Sequence, residues 1–526
     1  MKIFSARESW NNDASGSTHG FRSLLMFSAA AVVGLAAMPV AAEDGADQEA
    51  EVVAPAAIGA AAVVVQSPVT VPPAPRIPGA YPGGQRLTLG VTSGIRWLED
   101  WSHLADPANR SGSVLEALRY IPLGREDVYL SIGGQVRYNY TYWSRLNLGT
   151  TANEHLSATQ QRLRVVGDLQ VGRNFRAFVE LGDNQEFDEE FGTPPNRDRW
   201  DIQQAFVDVT VPLGASGQVT VRPGRFEMPL GGGRLMGMRD GVNVRYIYEG
   251  VRATWDNPGV VRVDAFSVEP VSYDGGAWDN ETIDGRSLKG VYVSTPRGKF
   301  IPNVAVEAFY FDTERASARY VGQTAKDDRQ SYGLRLWGRN GAWDYDVEGV
   351  YQGGDYGASD IAAWGLMFDG GYTLKTRWSP RLGLRANAFS GDADLSDAEV
   401  NTFAPPFPRT PLYADAGWFN MSNLVDLFPN VTIKPTSKLA IMTGFDVMWR
   451  ENSADAIYAG PTNFPMVWPV GGDRYVGTTY NLQGEYVLNN NINFRLYYAR
   501  FQAGDAVKKG GGDNSDYFGF WTDFRF

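Results

Sequence analysis

From residue 128 onward, apolar and polar side chains alternate in stretches of about ten residues, each closed by a turn. In YLSIGGQVRYNYTYW (129–143), Leu130, Ile132, Val136, Tyr138, Tyr140 and Tyr142 share one parity. Ser131, Gln135, Arg137, Asn139 and Thr141 share the other. QRLRVVGDLQV (161–171) sends Leu163, Val165, Leu169 and Val171 one way, and Arg162, Arg164, Asp168 and Gln170 the other. Successive side chains of a strand point to opposite faces, so each stretch predicts a strand with one greasy and one polar face. Eighteen such strands are predicted: 128–143, 161–171, 173–182, 201–212, 217–226, 248–256, 259–268, 286–295, 303–312, 329–339, 341–352, 361–375, 380–389, 425–434, 438–450, 475–488, 491–502 and 515–526. The last of them, ending DYFGFWTDFRF, sets Phe518, Phe520, Phe524 and Phe526 on one face.

The connections alternate between short and long. GRN (172–174), DNPG (256–259), RNGA (339–342), PTSK (435–438) and LNNN (488–491) are rich in turn formers. Between them lie long segments at 144–160, 183–200, 227–247, 269–285, 313–328, 390–424, 451–474 and 503–514, with 353–360 the one brief member. Long loops at one end and short turns at the other predict an up-and-down antiparallel transmembrane β-barrel of the outer-membrane type. The phenylalanine face then meets lipid, and the last strand closes against the first. A soluble propeller would show a repeat of about 40–50 residues, and none is visible.

The residues before this pattern read differently. LLMFSAAAVVGLAAMPVAA (24–42) follows Arg22 and ends in small residues, which predicts a signal peptide over 1–42 and secretion to the periplasm. Residues 43–84 are rich in Ala, Pro and Val and are expected to form a periplasmic linker, with the barrel over 85–526. Zero cysteines exclude disulfides and thiolate metal sites, and three histidines argue against a histidine metal centre, so no metal or cofactor is expected. A formal net charge of −12 argues against a nucleic-acid partner.

In a barrel the polar parity lines the lumen. Basic residues outnumber acidic ones there, although the whole chain is acidic. Arg137, Arg164, Arg252, Arg335, Arg385, Arg450 and Arg495 are expected on it, as are Lys289 and Lys375. The planar guanidinium fork suits carboxylates, so a conduit favouring anions is expected. The bland reading is that inward arginines pair with inward carboxylates to brace the wall. The segment EMPLGGGRLMGMRDGVNVRYI (227–247) carries Arg234, Arg239 and Arg245 and is expected to fold inward and narrow the pore. DADLSDAE (392–399) departs from a calcium loop, with Asp397 where glycine and Phe403 where glutamate would be needed. It reads as a solvated acidic loop among lipopolysaccharide.

Three stretches resemble the alginate-export outer-membrane proteins. They are WLEDWSHLADPANRSGSVLEALRYIPLGREDVYLSIGGQVRYNY (97–140), RPGRFEMPLGGGRLMGMRDGVNVR (222–245) and SNLVDLFPNVTIKPTSKLAIMTGFDVMWRENSADAIY (422–458). The resemblance implies an eighteen-stranded barrel with an electropositive lumen that passes a uronate polymer outward. By motif position it offers Arg137, Arg225, Arg234, Arg239, Arg245 and Arg450 as contacts for carboxylates. The implied partners are anionic polysaccharide or small anions, outer-membrane lipid and lipopolysaccharide, and periplasmic secretion components. The alternative is a nutrient porin for carboxylates or oligosaccharides. A barrel hydrolase is disfavoured, because His103 and His155 lie outside the strands.

Overall fold

The computed structural model describes residues 95–526, apart from 111, 113, 126, 152–154, 188–195, 321–322, 410–412, 461–463 and 470. The expected signal peptide and linker lie outside the described residues. Eighteen antiparallel strands close into a barrel. They are β1 (Val128–Trp143), β2 (Leu156–Val171), β3 (Phe175–Phe187), β4 (Asp198–Pro212), β5 (Gln218–Phe226) and β6 (Tyr248–Asn257). There follow β7 (Val261–Pro270), β8 (Arg286–Ser294), β9 (Val304–Tyr320), β10 (Gln323–Asn340), β11 (Trp343–Tyr356) and β12 (Ser359–Thr373). The circuit ends with β13 (Arg381–Phe389), β14 (Leu424–Ile433), β15 (Leu439–Trp449), β16 (Tyr475–Val487), β17 (Ile492–Ala503) and β18 (Ser515–Arg525). Each predicted segment overlaps one of these strands.

The seam forms between β1 and β18, from Gln135 opposite Arg525 to Trp143 opposite Tyr517. Closure leaves no sheet edge, which is the condition for strands to cross hydrocarbon. Parity behaves as the sequence requires. Tyr138, Tyr140 and Phe520 are 46%, 42% and 40% exposed on the outer face, while Gln135, Arg137 and Trp521 are buried inside. The terminal Phe526 exchanges two main-chain bonds with Gly134, at 2.9 and 3.0 Å. Gly134 is required by close approach: a Cβ there would lie 2.6 Å from the Phe526 ring and 2.7 Å from the Arg164 carbonyl.

Three expectations are corrected. Residues 313–328 are not a loop; β9 and β10 run on through them, with cross-strand partners from Thr313–Arg329 to Tyr320–Gln323. Lys289 lies on the outer parity of β8, where it is exposed beside the exposed Val291, while Leu288 and Tyr292 point inward. Lys375 follows β12 and is exposed in a turn.

The lumen is filled from both ends. From the long-loop end come residues 227–247, 390–423 and 450–474, the last containing a small hairpin of Ile457–Ala459 and Phe464–Val467. Leu230, Met236, Phe403, Trp418 and Ile457 from these loops join wall residues in one buried apolar cluster. At the short-turn end, residues before β1 fold at the mouth as three single turns, a short helix (Val114–Arg119) and a two-residue strand, Ile121–Pro122, paired to β1. We expect Gly134→Ala to destabilise the barrel by about 1–3 kcal/mol through overpacking at the seam. The check is the denaturant midpoint of the folded, heat-modifiable species; an unchanged midpoint contradicts the seam geometry.

Candidate functional site

The loop 227–247 is a strap laid across the lumen. Its glycines permit a tight reversal: Gly231 and Gly233 take φ of 56° and 71°, and the Gly233 N–H donates to the Leu230 carbonyl at 3.0 Å. The strap then runs beside the second inward loop. Gly237 donates to the Phe407 carbonyl at 2.8 Å, and Phe407 donates back to Leu235 at 2.9 Å. A Cβ on Gly237 would sit 2.6 Å from the Arg409 backbone.

Its two ends are tied to different walls. At one end Asp240 gathers three guanidiniums: Arg137 of β1 at 3.4 Å, Arg162 of β2 at 2.7 Å and Arg245 of the strap itself at 2.7 Å. Asn243 donates to the main-chain carbonyls of Gln161, Gln185 and Asn196 at 2.8, 3.2 and 3.0 Å. At the other end Arg234 reaches Asp346 and Glu348 of β11, at 3.0 and 3.2 Å. Asp240 was not singled out by the sequence, because no period runs through the strap. The Arg-Asp-Gly-Val-Asn-Val-Arg stretch, with an acid between two arginines, was the available signal.

On the walls, predicted arginines are paired. Arg335 holds Asp346 through two bonds, 2.9 and 2.6 Å, and Glu307 at 2.9 Å. Arg164 meets Glu180 at 3.3 Å, Arg252 meets Asp264 at 2.7 Å, and Arg495 meets Glu485 at 3.2 Å. Arg385 lies between Asp426, at 3.2 Å, and Asp446. Burial explains this: a charge inside a closed wall needs a partner close by. Arg450 binds carbonyls, those of Ser453 at 3.0 Å, Asp455 at 3.2 Å and Asp473 at 3.0 Å. Arg225 is not brought into the lumen. It stands three residues from the inward Arg222, hence on the opposite face of β5, and pairs at 2.9 Å with the exposed Glu249.

Arg239 differs from the ion-paired arginines. It is 3% exposed, at φ 54°, and forms no ion pair among the described residues. Its guanidinium lies between the rings of Tyr246 and Tyr273, at 4.2 and 4.6 Å. It donates to the Val244 carbonyl and the Tyr273 hydroxyl, at 3.2 and 3.3 Å, while Nη2 has no hydrogen-bond partner. The Tyr248 hydroxyl is likewise buried without one.

Among the groups outside the strands that titrate abnormally are Arg245 and Asp392. Burial opposes the charge on Arg245, but Asp240 and Glu227 hold its pKa above the ordinary value. In the loop 390–423, burial and the neighbouring Asp455, Asp397 and Asp394 carboxylates push Asp392 from 3.8 up to about 6. The Asp392 N–H donates to Asp455 at 2.9 Å. Because this carboxyl is raised on folding, its contribution is fully present below pH 3.8 and is lost as pH rises through about 6.

Two outcomes follow from these pairings. Asp240→Asn should leave Arg137 and Arg162 without their buried carboxylate and Arg245 with Glu227 alone, and cost about 3–5 kcal/mol, read as a lower denaturation midpoint; no change would mean the strap is not held by this knot. Amide exchange in residues 390–423 should accelerate between pH 5 and pH 7.5 beyond its intrinsic pH dependence, and Asp392→Asn should flatten that excess. Equal excess in both proteins would remove Asp392 as its cause.

Solved structures with the same architecture exist. OccAB1 of Acinetobacter baumannii is similar with a TM-score of 0.53 at 12% identity, over 76% of this chain and 96% of its own. OccD3 (OpdP) of Pseudomonas aeruginosa gives 0.52 at 12%, over 76% and 91%, and OpdQ of the same organism 0.51 at 11%, over 76% and 98%. At such identities the likeness carries the fold alone. A comparison with curated proteins finds no match. The family model described as "Alginate export" matches residues 128–520, the whole run from the first strand into the last. An eighteen-stranded barrel matched along nearly its full circuit is decisive: the chain belongs to the alginate export family and forms an outer-membrane channel.

Proposed function

We propose that this channel exports a polyuronate-like anionic polysaccharide, passively, from the short-turn end on the periplasmic side to the long-loop end outside. The orientation follows the general rule for outer-membrane barrels. The observation that carries the reading is Arg239: a buried cation on the strap, flanked by tyrosine rings, with an N–H unmet and no carboxylate among the described residues paired to it. The other predicted arginines that point inward have partners that neutralise or cap them, so they set the field and hold the wall. Arg137 and Arg164 also carry an unmet N–H, but Arg239 has no carboxylate of its own among the described residues, so a polymer carboxylate reaching it would complete its pairing, and its aromatic neighbours suit the flat faces of sugar rings. Binding must also be weak enough for release, which one charge-assisted contact provides.

Arg239→Gln removes that contact. Polyuronate blockade of single channels should weaken about tenfold, the equivalent of about 1.4 kcal/mol, and the reversal potential in a salt gradient should shift toward cation preference. A neutral dextran should behave the same in both proteins. Unchanged blockade together with an unchanged reversal potential would overturn the arginine path. Blockade by short organic acids but not by polyuronate would favour uptake.

A further inference from the structure

The strand pattern begins at residue 128, and conduction through a barrel needs nothing before it. Yet the segment Ile95–Tyr120 buries Ile95, Arg96, Trp97, Leu98, Leu104 and Tyr120 at the periplasmic mouth. Its far end is held by side chains. Arg96 Nη2 donates to the Phe526 main-chain carbonyl at 2.5 Å, in space that Gly133 leaves open and a Cβ would block. The Trp97 ring packs 4.6 Å from the Arg222 guanidinium, and the Trp97 carbonyl accepts from Arg176 Nη1 at 2.8 Å. Its near end is fixed to the wall: Tyr120 stacks on Tyr129 at 4.7 Å, and Ile121–Pro122 pairs with β1. The segment is thus a strip tethered at one end and seated at the other.

The seat leaves several buried donors unmet. Arg222 satisfies Asp208 through two bonds, both 2.7 Å. Its Nη1 is buried without a hydrogen-bond partner. Trp97 Nε1 and Arg96 Nε are buried in the same condition. A donor buried without an acceptor is worse off than in water, so each of these groups favours the seat opening. Nor does the segment fill the mouth. A cavity of about 720 Å³ remains between Trp97, Leu98 and Tyr120 on one side and Arg176, Thr220 and Arg222 on the other.

We infer that Ile95–Tyr120 is a displaceable plug: Trp97 seats against Arg176 and Arg222, Arg96 latches the seat to the barrel seam, and the strip swings out about its fixed end at Tyr120. A polyanion arriving from the periplasm competes with Trp97 for the same two arginines and so drives release. That trigger rests on the proposed function; the plug itself does not.

The chain has no cysteine, so one introduced thiol reports without background. Leu98 is 8% exposed beside the seat, and Leu98→Cys in the full-length protein should react slowly with a bulky maleimide. Trp97→Ala or Arg96→Gln in that background should each raise the rate about tenfold, by populating the open form. Polyuronate should raise it in the Leu98→Cys protein alone, and neutral dextran should not. Retention of the heat-modifiable band shows that each variant has folded. A rate indifferent to both substitutions overturns the plug. A rate that responds to the substitutions but not to polyuronate overturns the trigger, whatever Arg239→Gln does to blockade.

Discussion

The interaction on which this molecule depends is the pairing of inward guanidiniums with carboxylates inside a closed wall. Closure removes the sheet edge and turns one face of every strand toward a confined interior. Charges placed there are costly unless matched, and the match reaches beyond the wall itself. Asp240 answers Arg137 and Arg162, which sit on β1 and β2, and so pulls the strap inward. Arg234 answers Asp346 and Glu348 on β11, and so stretches the strap to the other side. The route of the loop is therefore written in wall charges as much as in its own glycines.

The same pairing separates framework from function. A guanidinium locked to two carboxylates, as Arg335 is, offers little to a passing anion and much to rigidity. Selectivity then falls to cations left incompletely matched. Arg239 is one, held by stacking and by one carbonyl and one hydroxyl. It can remain unpaired because the strap, itself clamped at both ends, fixes its position from elsewhere.

How much of this was legible follows from what surrounds each element. Where lipid lies on one side and charge on the other, period two is sharp, and all eighteen strands could be read from it. Where strands leave the membrane, both faces turn polar and the signal fades; hence Thr313–Tyr320 and Gln323–Asp328 look like loop although they continue a hairpin. The parity rule also fails where the interior is apolar. Around Lys289 the inward neighbours are Leu288 and Tyr292, packed near a stack of Phe309 and Phe311 with ring centroids 4.6 Å apart. A reading that equates inward with polar then slips by one residue and reverses every side chain. The strap contacts and the folded segment before β1 were out of reach for a different reason: they are long-range and aperiodic, and only the Gly133–Gly134 pair hinted that something passes close to the wall.

A barrel of this width, left open, would be a hole in the outer membrane, so both fillings bear on function. They are not equivalent. The strap is tied by charge-assisted bonds whose partners would be stranded by its departure, and it shares an apolar cluster with the two other inward loops. The plug is held by Ile95, Trp97 and Leu98 packed in that same apolar cluster, by the Arg176 bond to the Trp97 carbonyl and by the Arg96 latch, and it buries donors that find no acceptor. An element whose release satisfies groups that its closure leaves wanting has the lower barrier to moving. The mouth facing the periplasm is therefore the end that opens first, and a polymer entering there meets the strap and Arg239 only after the plug has yielded.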